Sequence, residues 1–159
     1  MQDTVNAYAR FYQFSPSTLY YYHLQDYWDA SDVTPWDNSS KLLKDLAKDT
    51  GGLRDDYNDK DPTNDIVIGL VKFADHNGMA SCNGFFSVAA TSTYAWTWPH
   101  DSIAQHEISH NFNAGEGGFW CWEHEECIMN YCWAGFWGTD KWCDDHWNVV
   151  NGNINGYWE

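Results

Sequence analysis

Gln105-His106-Glu107-Ile108-Ser109-His110-Asn111-Phe112-Asn113-Ala114-Gly115-Glu116 is the stretch on which the reading of this chain turns. Residues four apart stand one above the other on a helix, so His106 and His110 share a face and suit the grip of a single metal ion. Glu107 then lies at the edge of that site, placed to handle a water activated by the metal rather than to bind the metal. A catalytic zinc needs three protein ligands and an open position, and a helix cannot wrap around its own metal. The chain must therefore turn back after His110. A left-handed residue does this within a few positions; Gly adopts that conformation best and Asn next best. Asn113 stands three residues past His110, and Glu116, an oxygen ligand for zinc, stands six past it. The five-residue pattern alone arises by accident in roughly one chain per hundred of this length, so its surroundings have to decide.

Composition narrows the classes. A chain of 159 residues is most simply one domain with a real core. It holds no run of eighteen apolar residues, which excludes a helical membrane span. The start, Met1-Gln2-Asp3-Thr4-Val5, has neither a basic end nor an apolar run; it reads as a mature start without a signal peptide. The net charge of −15 repels nucleic acid and anionic lipid and favours basic or neutral partners, although it also serves solubility. Aromatics reach 18 %, with 11 Trp and 10 Tyr. They suit a sugar- or peptide-binding surface, but the core of a small domain poor in Leu and Ile is sufficient to account for them. Five Cys cannot all pair with one another.

Along the chain, Arg10-Phe11-Tyr12-Gln13-Phe14 and Thr18-Leu19-Tyr20-Tyr21-Tyr22 alternate aromatic and polar groups and predict one or two strands. Asp37-Asn38-Ser39-Ser40 offers an N-cap to a helix with Leu42, Leu43, Leu46 and Ala47 as its apolar stripe, ended by Gly51-Gly52. The acidic loop from Arg54 to Asp65 lacks a calcium-loop spacing and reads as a solvated turn. The apolar run Asp65–Phe73 predicts a buried central strand, and Gly84–Thr91 a further strand at an edge. Pro99–Phe112 is the ligand-bearing helix, with Ile103, Ala104, Ile108 and Phe112 on the sheet. A short helix is expected over Asp144–Asn153. The order predicts an α+β fold: one catalytic domain over 1–159, with a mixed sheet and the active-site helix in about 1–112. A small irregular C-terminal subdomain would fill about 113–159, and the cleft would lie between the two.

The segment from His106 to Glu116 resembles the metzincin signature, His-Glu-x-x-His-x-x-Gly-x-x-(His or Asp). Asn113 replaces the Gly and Glu116 the third ligand; His124, Glu123 and Glu125 are its rivals. Cys127-Ile128-Met129-Asn130-Tyr131 is similar to the Met-turn beneath the zinc of that family. The resemblance implies that Met129 floors the site and that Tyr131 reaches the zinc or the developing oxyanion. It also implies a substrate-pairing edge strand just before the helix, for which Asn83–Val88 is the candidate. It covers roughly residues 60 to 150 and is specific over 106 to 131. A small metzincin-like catalytic domain with one catalytic Zn2+ follows, an endopeptidase in which Glu107 is the general base.

Archaemetzincins, a branch of that family, add a structural zinc held by Cys. Here Cys121, Cys127 and Cys143-Asp144-Asp145-His146 resemble that pattern with departures. They imply a second zinc on Cys121, Cys127, Cys143 and His146. The competing reading pairs these cysteines as disulfides, with Cys82 or Cys132 as further partners. Two alternatives to the leading function stand: a gluzincin-type peptidase with its third ligand among Glu123, Glu125 and Glu126 on a later helix, and a non-catalytic aromatic-rich module for carbohydrate or peptide with a structural zinc. The expected partner is a peptide or protein substrate rather than nucleic acid or membrane. The expected state is a secreted monomer, or an intracellular protein if the Cys cluster binds zinc instead of forming disulfides.

Overall fold

Strand β3 (Phe86–Ser92) organises the fold. The computed structural model describes residues 2–14, 28–33, 38–56, 65–92 and 98–156. Within them three strands form one mixed sheet in the order β1-β3-β2, where β1 is Val67–Phe73 and β2 is Gly78–Ala80. β1 runs parallel to β3, with Val67 opposite Phe86, and β2 runs antiparallel to it, with Met79 opposite Val88. The sheet therefore reverses the expectation that 65–73 is central and 84–91 an edge. Side-chain size explains the reversal. Ser87, Val88, Ala89 and Ala90 are all buried and small enough for helices to close on both faces of β3, whereas Leu70 of the greasier β1 is 43 % exposed.

Helix α2 (Ser39–Thr50) covers one face. Its first turn is held twice: the Asn38 side chain accepts from the Ser40 N–H at 2.8 Å, and the Asp75 carboxylate accepts from the Ser39 N–H at 2.7 Å. Leu42 and Leu46 pack with Val88 and Ala90 in one apolar cluster. A turn at Gly51-Gly52 and the short helix α3 (Leu53–Asp56) follow; most of the acidic loop lies outside the described residues.

The other face carries α4 (His100–Asn111) and a larger core built with α1 (Gln2–Phe11) and α5 (Asp144–Gly156). Helix α1 corrects the expected strand at Arg10–Phe14. Ala7 and Phe11 lie four apart and are both buried, so the helical spacing outweighs the local alternation. The Thr18–Tyr22 stretch lies outside the described residues. Arg10 fastens α1 to α4, donating to Gln105 Oε1 at 2.6 Å and to Asp101 Oδ2 at 2.7 Å. Phe11 and Phe14 meet Trp142 edge-on at 5.1 and 5.2 Å, so part of the aromatic content is core. No helix among the described residues is long and apolar enough to cross a membrane.

Candidate metal centre

Helix α4 is anchored on the side away from the cleft. Trp142 Nε1 donates to Ser109 Oγ at 2.9 Å, and Gln105, fully buried, donates to the Asp140 carbonyl at 2.8 Å. The opposite side presents His106, Glu107 and His110 to an open cavity of about 880 Å³. Asn113 has φ +65°, the left-handed exit expected of it. The Asn111 amide donates to the carbonyls of Ser81 and Phe86 at 3.2 and 3.0 Å, tying the helix end to the sheet.

That exit carries Glu116 back to the histidines. Its carboxylate lies 3.3 Å from His110 Nε2 and 3.6 Å from His106 Nε2, and the two Nε2 atoms are 3.1 Å apart. His106 Nδ1 lies 2.9 Å from the Ile128 carbonyl and His110 Nδ1 2.7 Å from the Ala114 carbonyl. A carbonyl only accepts, so both Nδ1 atoms carry the proton and both Nε2 atoms are left with lone pairs. Three acceptors thus converge on one point with no donor among them. A cation or a proton has to stand between them, and this donor set fits a divalent cation. With a proton rather than a cation between them, burial opposes ionisation of Glu116, but hydrogen bonds and charge interactions with the two imidazoles prevail and hold its carboxyl well below the usual range. For His106, burial lowers the pKa, yet Glu116 and Glu107 together raise it.

Glu107 does not join the three. It is buried beside the edge strand, and burial pushes its carboxyl up to about 7 against the opposing pull of the two histidines. A carboxyl poised there can both take and return a proton near neutrality. Tyr131 lines the same cavity and donates its hydroxyl to Glu116 at 3.0 Å; burial, then Glu116, raises its pKa. Met129 is fully buried in a turn that pairs with the strand-like exit, Gly117 N–H donating to the Met129 carbonyl at 2.7 Å.

Three of the rival ligands, Glu123, His124 and Glu126, are engaged elsewhere. Glu123 accepts the Phe119 and Trp120 N–H groups at 2.8 and 2.7 Å, and Glu126 accepts from Thr139 and Lys141. Residues 119–127 form turns rather than the helix a gluzincin ligand requires. His124 belongs to a second cluster. Cys143 Sγ lies 2.9 Å and Cys127 Sγ 3.3 Å from His146 Nδ1, and His124 offers a ring nitrogen within 4.8 Å of the Cys143 and His146 ligand atoms. The buried His124 Nδ1 has no hydrogen-bond partner. Burial pushes the Cys127 thiol up to about 12, a balance that a bound dication inverts. His124, Cys143 and His146 can hold a metal ion, with Cys127 lying against His146. Cys121 is excluded from this group, because it is bonded to Cys132. The expected set is thereby corrected: Cys121 leaves it, and His124 joins Cys143 and His146. The spacing His124-x-x-Cys127, mirrored by Cys143-x-x-His146, was the signal available for it. Cys82, Cys127 and Cys143 are free thiols.

Two further points emerge only in three dimensions. Asn83–Val88 leads into the central strand, so the edge along the cavity is β2, from Gly78 to Ala80, not the segment expected. Phe119, Trp120, Trp122, Phe136 and Trp137 are exposed around the same cavity. No family model, curated protein or solved structure matches the chain.

Proposed function

We propose that this protein is a zinc-dependent endopeptidase of metzincin kind. The observation that carries the reading is the donor-free convergence of His106, His110 and Glu116 beside the buried Glu107 in an open cleft. Zinc bound there supplies Lewis acidity, which brings water towards ionisation at neutral pH and polarises a carbonyl. Glu107 accepts the proton of the attacking water and passes it to the leaving amine. Tyr131 offers its hydroxyl to the oxygen that gains charge, and the outer edge of β2, unpaired among the described residues, offers backbone groups to an extended substrate. Met129 closes the apolar floor. A second, structural zinc on His124, Cys127, Cys143 and His146 fixes the C-terminal segment to α5. The Cys121–Cys132 disulfide supports a secreted protein.

The test is hydrolysis of casein or gelatin with and without a chelator, together with Glu107→Gln. The variant keeps its fold and zinc and loses cleavage by about 10³-fold or more. The second reading, a non-catalytic aromatic-lined binding module with structural metal, draws support from the exposed Trp side chains. Chelator-insensitive or absent cleavage by a normally folded chain decides for it.

A further inference from the structure

The cleft has a wall that the chemistry of hydrolysis does not use. Phe119, Trp120, Trp122, Phe136 and Trp137 are 54, 49, 78, 64 and 64 % exposed, and all line the cavity that holds the histidines. Their exposure is enforced by the chain around them. The Cys121–Cys132 bond joins the two segments that bear them. Trp133 Nε1 donates to the carbonyls of Cys121 and His124 at 3.2 and 3.0 Å, and the Asn130 amide donates to the Trp120 carbonyl at 3.1 Å. With Glu123 capping the Phe119 and Trp120 N–H groups, the backbone is fixed while the rings are held in water. A contiguous apolar patch of this kind marks a contact surface.

The wall's neighbours say what it contacts. Trp120 and Trp122 stack face to face at 4.9 Å and 7°, which leaves a flat apolar surface rather than a set of separate rings. Among the described residues Asn77 is the only side-chain amide lining the cavity, and it comes from the β2 side, and no Ser or Thr of those residues lines it. A sugar would find few partners for its hydroxyls along the aromatic side. No Lys or Arg among the described residues lines the cavity either; Asp75 does, and it stays anionic whether or not a metal takes up Glu116, in a chain of net charge −15. Cations are therefore drawn in, and aromatic faces attract them further.

We infer that the aromatic wall is a specificity subsite for basic polypeptide segments that carry a bulky apolar side chain, which lies against Trp120 and Trp122. The inference rests on the peptidase reading and names its substrate class. Binding is measured in the zinc-loaded Glu107→Gln protein by fluorescence anisotropy. The probes are three labelled decapeptides: Arg-flanked with central Phe, Arg-flanked with central Gly, and Glu-flanked with central Phe. The Arg-flanked Phe peptide binds about tenfold tighter than either of the others. The Trp120→Ala/Trp122→Ala protein loses the preference for Phe over Gly but keeps that for Arg over Glu, and added salt weakens the latter. Equal binding of Phe and Gly peptides, or a Phe preference that survives the double substitution, overturns the inference. So does tight binding of a soluble oligosaccharide such as cellohexaose that the double substitution abolishes. Concentration-dependent dimerisation lost in the double variant, without any Phe preference, assigns the wall to a second copy and likewise overturns it. The two readings fail separately: a peptide preference without cleavage by the wild type sinks the peptidase, and cleavage without preference sinks the subsite.

Discussion

Gly78→Ala tests how Glu107 is positioned. A Cβ on Gly78 would stand 2.5 Å from Glu107 Cγ, 2.6 Å from its Oε1 and 2.6 Å from the Val88 carbonyl oxygen. Ordinary contact begins at 3.4 Å, so the carboxylate arm must retreat by about 0.9 Å or β2 must lift from β3. The Gly78 φ is not left-handed, so the effect is one of space alone. Overpacking of this degree costs about 1–3 kcal/mol of stability. Displacing a catalytic group by about 1 Å slows turnover on the order of 10²-fold, or about 2.7 kcal/mol of barrier. The assay is kcat/KM on a quenched fluorescent peptide, with zinc content and denaturant unfolding on the same samples. Zinc is retained, because Glu107 is not a ligand. In a Glu107→Ala background the clash with the arm is gone and only the Val88 carbonyl remains. The stability penalty of Gly78→Ala then shrinks by about 1 kcal/mol. A Gly78→Ala protein with kcat/KM within twofold of wild type would refute the claim that the edge strand sets the Glu107 position.

The other predictions concern metal, covalent frame and backbone. Metal analysis gives two zinc per chain; His110→Ala lowers this to one and stops cleavage, whereas Cys143→Ser lowers it to one and lowers Tm first. Either variant that still carries two zinc removes its residue from the ligand set. Reduction releases one disulfide by mass and lowers stability by about 3 kcal/mol, the loop-entropy value for a closure of this length; an unchanged melting curve contradicts it. Asn113→Gly leaves stability within a few tenths of a kcal/mol or raises it, while Asn113→Val costs about 1–2 kcal/mol and weakens zinc binding, because only the first tolerates φ +65°. Equal stability of the two variants would show that the exit is not left-handed in solution.

The legible parts of this chain were those governed by local spacing. The i, i+4 histidines, the Asn113 exit and the six-residue reach to Glu116 depend on helix geometry and one backbone conformation, and sequence carries both. Helix α2 was legible for the same reason, through Asn38 and the Leu42–Leu46 stripe. What sequence hid was decided by packing across the chain. β3 is central because Ala89 and Ala90 are small, not because it is the more apolar strand. Helix α1 wins over an alternating pattern through Arg10 and residues about 90 positions away. Disulfide partners cannot be deduced from spacing, so the sequence leaves Cys121 open to a zinc set or a disulfide, and only the fold pairs it with Cys132. The exposed tryptophans were invisible, since composition does not separate rings in a core from rings in a cleft.

Cys127 is a reduced residue enclosed between two oxidised ones, inside the loop that the Cys121–Cys132 bond closes. Of the three pairings these cysteines can make, two consume the buried thiol and only one spares it. Should the proposed secretion hold, maturation becomes a matter of order. In the proposed zinc protein, early metal capture at His146 and Cys127 would mask the vulnerable sulfur while its neighbours find each other, and an oxidant that arrives first would trap the chain in a scrambled form.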